Sequence, residues 1–166
     1  MALTFSSGLK GAWLGNAVAE DSLLNVLNTN GGGGVPFEAA GVDIYIMKGT
    51  KPTSPDTGAG ATDDLVKIKN AAAGGLFEWL GTPSFWLTIK TAEVWSGTAG
   101  ANASTGLEAT WFRLCKTGAS IISTSAALIR IDGTCGDTGT EDLVLSDATI
   151  ANGDVKTIDV FRIKLP

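Results

Sequence analysis

Short runs of alternating apolar and polar residues, each closed by glycine, asparagine or aspartate, fill the second half of this chain. Between Ala109 and Pro166 they read ATWFRLCK, SAALIRIDG, EDLVLSDATIANG and DVKTIDVFRIKLP. Segments of this length, rich in β-branched and aromatic residues and bounded by turn formers, predict an antiparallel meander. In the last segment Phe161, Ile163 and Leu165 share one face, and Arg162 and Lys164 share the other. A two-residue period therefore turns the first set into a core. The same alternation recurs upstream. In VDIYIM, Val42, Ile44 and Ile46 oppose Asp43, Tyr45 and Met47, and in LVKIK, Val66 and Ile68 oppose Lys67 and Lys69. Residues 77–80 and 85–95 complete the set. Over the second run the period places Trp86 opposite Phe85, Leu87 and Ile89, and Trp95, beyond them, is read as facing outward as well.

Residues 1–27 follow a different rule. Ser6 or Ser7 can cap a helix, and Leu9, Trp13 and Ala17 follow at helical spacing. Gly8, Gly11 and Gly15 weaken it, each by about 1 kcal/mol relative to alanine, so this arm needs a surface to lie against. Asn28–Gly34 (NTNGGGG) then interrupts all periodicity. No Gly-Lys-Ser/Thr follows these glycines, which excludes a phosphate-cradling loop. The chain is thus expected to be one all-β domain, residues 1–166. It comprises a short N-terminal helix or arm (1–27) and an antiparallel β-sandwich or jelly roll of about eight strands (42–166).

Composition narrows the functions. Only 17% of residues are charged, and 22 are glycine, a composition that suits equally a surface packed against neighbours and an ordinary loop-rich β protein. The net charge is -5 and the 12 Lys and Arg are scattered singly, so no basic patch predicts nucleic-acid binding. No apolar run reaches the length of a membrane-spanning helix, and the first residues lack a signal-peptide layout, so synthesis and retention in a cytoplasm are expected. The two cysteines, Cys115 and Cys135, are expected to be free thiols unless their strands prove to be neighbours.

Catalytic chemistry finds little to work with. The absence of histidine removes Ser-His-Asp and Cys-His catalysis and most zinc sites. Asp132, Asp137, Glu141 and Asp142 gather over IDGTCGDTGTED, but without EF-hand spacing, and the expected role is that of turn acids satisfying loop amides. No catalytic residue, cofactor or metal is assigned. Of the five tryptophans, Trp13 on the arm and Trp86 or Trp95 on strands are those expected to be exposed. With Leu3, Phe5 and Leu9 of the apolar arm they form the candidate partner-binding set.

Several stretches, taken in order, resemble small tailed-phage proteins. These are the opening MALTFSSGLKGAWLGNAVAED, the strand and Gly-Thr-x-Pro loop IYIMKGTKPTSPDTGAG at 44–60, ATWFR at 109–113, IRIDGTCG, and the closing LVLSDATIANGDVKTIDVFRIKLP. Their order resembles that of the capsid decoration, or cement, proteins of tailed bacteriophages. The chain departs from the pattern at 28–41, where the Gly-rich loop looks like an insertion, and at 77–95, which is unusually rich in tryptophan. The resemblance implies a β-sandwich or jelly roll that sits as a homotrimer on the outer capsid surface, made in the host bacterial cytoplasm. Its partners would be the major capsid protein and itself, with no nucleic acid and no membrane. A second reading, resting on composition, is a tail or fibre β-sandwich whose tryptophans stack on carbohydrate.

Overall fold

The structure, a computed structural model, describes residues 3–7, 42–70, 77–80, 86–89, 95–116, 118–128 and 130–164. Its strands are β1 (Thr4–Phe5), β2 (Val42–Met47), β3 (Asp64–Asn70), β4 (Phe77–Leu80), β5 (Trp86–Ile89) and β6 (Trp95–Thr98), followed by a 3-10 turn at Ala101–Ala103. Then come β7 (Leu107–Glu108), β8 (Trp111–Lys116), β9 (Arg130–Gly136), β10 (Leu143–Leu145), β11 (Thr149–Ile150) and β12 (Val155–Lys164). The all-β expectation holds. Among the described residues twelve strands appear where about eight were expected: β1 and β7, of two residues each, are too short for an alternation to show, and the runs at 85–95 and 141–153 each divide in two, into β5 and β6 and into β10 and β11.

Pairing runs β9–β8–β2–β3–β6–β12, and β10 pairs both β12 and β9, which closes these strands into a ring. Every contact in it is antiparallel except β10 with β9. Closure removes the exposed edges that a strand stack would present to other chains. The β4–β5 hairpin lies outside the ring, joined to Arg162–Lys164 at the far end of β12. The interior takes the predicted faces of β2 and β3, Ile44 and Ile46 from the first and Val66 and Ile68 from the second, and adds Phe112 and Leu114 from β8. Phe112 and Phe161 meet edge to face across it, centroids 5.2 Å apart at 87°.

β12 departs from strict alternation. Leu143 opposes Phe161 and Val144 opposes Val160, but Leu145 opposes Ile158, so Asp159 is an extra residue in the ladder. This bulge turns both Ile158 and Phe161 inward although they are three positions apart. A regular period counted back from Phe161 would have buried Asp159 and exposed Ile158. Lys156, inward from the same strand, is buried near the end of the barrel. Its ammonium reaches Asp147 Oδ2 at 3.2 Å and the Thr149 carbonyl at 2.7 Å, which gives a nearly buried cation its required partners.

β8 and β9 are neighbours, yet the cysteines do not pair. Cys115 opposes Arg130, so Cys135 lies five residues further along β9, about 17 Å away by strand rise. The two thiols also occupy opposite faces, Cys135 in the barrel interior and Cys115 outside it. Disulfide closure needs Cα atoms within about 7 Å. Burial pushes the Cys115 thiol up to about 12 and the Cys135 thiol higher still, so neither presents a thiolate near neutrality. Native protein is therefore expected to take up no thiol reagent over hours, with two equivalents reacting at once in denaturant. Rapid native labelling of either cysteine would show that its cover opens.

Candidate interaction face

One half of the barrel's outer surface is covered by loops rather than by water. Alternation puts Asp43, Tyr45 and Met47 of β2, Trp111, Arg113 and Cys115 of β8, and Arg130 and Asp132 of β9 outward, but all eight are buried. Over them lie the 48–63 loop and the 118–128 loop. Met47, Trp111 and Cys115 form a second apolar cluster beneath, with Ala59 from one loop and Ala119 and Ile121 from the other. The loops also meet each other. Ala59 N–H donates to the Ile121 carbonyl at 2.9 Å, and Gly58 lies so close to the Ile122 backbone that no side chain fits.

Two arginines hold this cover. Arg113 Nε and Nη2 donate to the two Asp132 oxygens at 2.8 and 2.7 Å, a bidentate pair in which both side chains are 0% exposed. The remaining donors of Arg113 reach one carbonyl in each loop, Ile121 O and Thr57 O, both at 2.9 Å. Arg130 repeats the arrangement, reaching Pro55 O at 2.9 Å and Ser120 O at 3.2 Å. Thr110 Oγ1 adds a bond to Gly49 O at 2.6 Å, and Trp111 Nε1 adds one to Lys48 O at 3.0 Å. A long loop has many carbonyls and few side chains able to pair them. Guanidinium groups, with five donors each, can satisfy carbonyls of two loops at once.

The electrostatics are those of a closed structural site. Burial raises the Asp132 carboxyl above its ordinary value, and the Arg113 guanidinium works against that shift. Burial, with Arg113 nearby, lowers Arg130. Arg113 and Asp132 pair with each other and Arg130 reaches two loop carbonyls, although its buried Nε has no hydrogen-bond partner, and among the described residues no three His, Cys, Asp or Glu side chains gather as metal ligands. The face therefore fastens its two loops through interlocking hydrogen bonds. It sets the outer loops rigidly and leaves Ile122 at their crest, 53% exposed.

The candidate partner-binding residues fall differently. Trp95 is corrected: it is 2% exposed and belongs to the barrel interior. Nine positions separate it from Trp86, which puts the two on opposite faces of any regular strand, and β6, a separate strand that begins at Trp95 and pairs with β3, turns the indole into the barrel. Leu3 and Phe5 are half-buried against the chain's own core. Leu9 and Trp13 lie outside the described residues, as does the Trp86 side chain, although its backbone belongs to β5. Asp132 is also corrected, from turn acid to buried strand residue. Its neighbours keep the expected role: Asp142 accepts from Thr134 N–H at 3.0 Å and Asp137 from Ala148 N–H at 3.2 Å. The sequence signal for Asp132 was its spacing with Arg130 around the core residue Ile131, which puts two charges on one strand face.

No protein-family model, curated protein or solved structure matches this chain.

Proposed function

We propose that this chain is a virion structural protein, a decoration or cement protein bound to the outside of a phage head. The observation that supports this reading is the convergence of the stretches carrying the resemblance. The Gly-Thr-x-Pro loop, the ATWFR strand, the IRIDG strand and the N-terminal residues are far apart in sequence, yet they interlock through Arg113, Arg130, Asp132 and Ser7. Their shared order thus corresponds to one structural unit, the clamped outer face. In this reading the barrel is a flattened one, a β-sandwich or jelly roll with β9–β8–β2–β3 as one sheet and β6–β12–β10 as the other. The protein acts without catalysis, as a homotrimer whose partner is the major capsid protein.

The mechanism is stapling. A trimer that bridges adjacent capsomers adds contact area that must break before the shell opens. An interface of about 1,600 Å² is enough for specific attachment. Many copies on one lattice add avidity. Loops held by buried arginines suit this task, because a preordered contact surface loses little entropy on docking. Against the carbohydrate reading, Trp95 is buried in the barrel and Trp111 beneath the loops, which withdraws both from any stacking platform.

Deleting the arm is a poor test, since Leu3–Ser7 belong to the fold. Copy number is a better one. Quantitative mass spectrometry of density-banded, nuclease-treated particles from the source virus or prophage should find this chain near parity with the major shell protein. A handful of copies per particle would favour a tail or fibre component, and complete absence would refute a virion role.

A further inference from the structure

The outer edge of β9 is shared by two short occupants, β10 at Cys135–Gly136 and β1 at Ile131–Asp132. β1 is a strand added to that edge. Its backbone pairs Thr4 with Asp132 and Phe5 with Ile131, and Ser6 N–H donates to the Arg130 carbonyl at 3.1 Å. Arg130 N–H donates in return to Ser6 Oγ at 2.9 Å, and Ser6 is wholly buried. Ser7 closes the attachment through N–H and Oγ to the Asp56 carboxylate, at 3.0 and 2.6 Å. These partners lie 49 to 128 residues away in sequence, and each bond would form equally well with a strand from another molecule.

We propose that this β9 edge is a strand-exchange site whose alternative occupant is the N-terminal strand of a second copy. The covalent geometry allows it. Residues 8–41 connect Ser7 to Val42, and at ~3.3 Å per residue they bound the reach of the strand at about 110 Å. Chain length by itself therefore does not tie the strand to its own barrel. In dilute solution the strand occupies its own edge, because attachment within one chain is independent of concentration and capture by a second molecule is not. Where copies are held together, exchange links them with no new contact surface. The inference stands apart from the virion reading, since it concerns two copies of this chain only.

The test is cross-linking in full-length protein. One preparation carries Ser7→Cys and another, of different tag mass, carries Asp56→Cys. The double variant S7C/D56C reports the contact within one chain. Under mild oxidation the double variant should close internally at low concentration. The mixed single variants should give covalent heterodimers whose yield rises about tenfold between ~0.1 and ~1 mM total protein. A second pair, Phe5→Cys with Ile131→Cys, reads the same strand from within the ladder. If both double variants close internally while neither mixture yields heterodimer at ~1 mM, exchange does not occur and the proposal is overturned. If neither double variant closes, the strand does not occupy this edge at all, and the proposal falls with it.

Discussion

Replacing Arg113 by alanine is expected to lower folding stability by about 3–5 kcal/mol, the largest effect of any outward-facing side chain. The cost arises from what remains. Asp132 would keep a fully buried carboxylate without its bidentate partner, and the Ile121 and Thr57 carbonyls would lose their donors together. For a chain of this size the midpoint of thermal unfolding should drop by roughly 10 °C. Arg130→Met is the informative contrast. Arg130 has no carboxylate among its hydrogen-bond partners, and burial already disfavours its charge, so an apolar side chain of similar volume should cost distinctly less. Denaturant titration of the two variants decides the matter. Equal losses would mean that the arginines act only by filling space, and the clamp would have no electrostatic content.

Phe112→Ala should cost a similar amount, about 3–5 kcal/mol, by a different route: it empties the centre of the barrel and removes the edge-to-face contact with Phe161. Gly133 supplies a second arm to this experiment. It opposes Phe112 in the β8–β9 ladder, and a Cβ there would overlap the Phe112 ring edge and crowd the Leu3 methyl. In the natural chain Gly133→Ala is therefore expected to cost about 1–3 kcal/mol by overpacking. In the Phe112→Ala background the ring that forbids the extra methyl is gone, so the same substitution should cost almost nothing. The double-mutant cycle measures this coupling directly. Additive losses would mean that Gly133 is required for its backbone and not for the space beside it.

Both predictions rest on residues whose roles were unequally visible beforehand. The alternation of Ile44, Ile46, Val66 and Ile68 could be read along the chain, because burying one face of a strand demands every second residue be apolar, whereas the inward face of β8, with Phe112 and Leu114, was not assigned. The free state of the cysteines was expected too, although the reason was not. They sit on adjacent strands and are kept apart by register and by face. Phe161 lies in the core as expected, but the bulge at Asp159 shifted the residues before it, since an inserted ladder position leaves no mark in composition.

The sequence by itself determined the class of structure and its inward faces, for these follow from local periodicity and turn chemistry. It also excluded histidine-dependent catalysis outright. Only the tertiary structure decided what the outward faces do. Asp43, Tyr45, Trp111, Arg113, Arg130 and Asp132 occupy positions that alternation would leave to solvent, and two loops distant in sequence bury them. Trp95 lies inward because β6 is a strand of its own, whose first residue pairs with Asn70 of β3 and turns its indole into the barrel. Which loop covers which face depends on contacts between residues tens of positions apart, and no local pattern records those contacts.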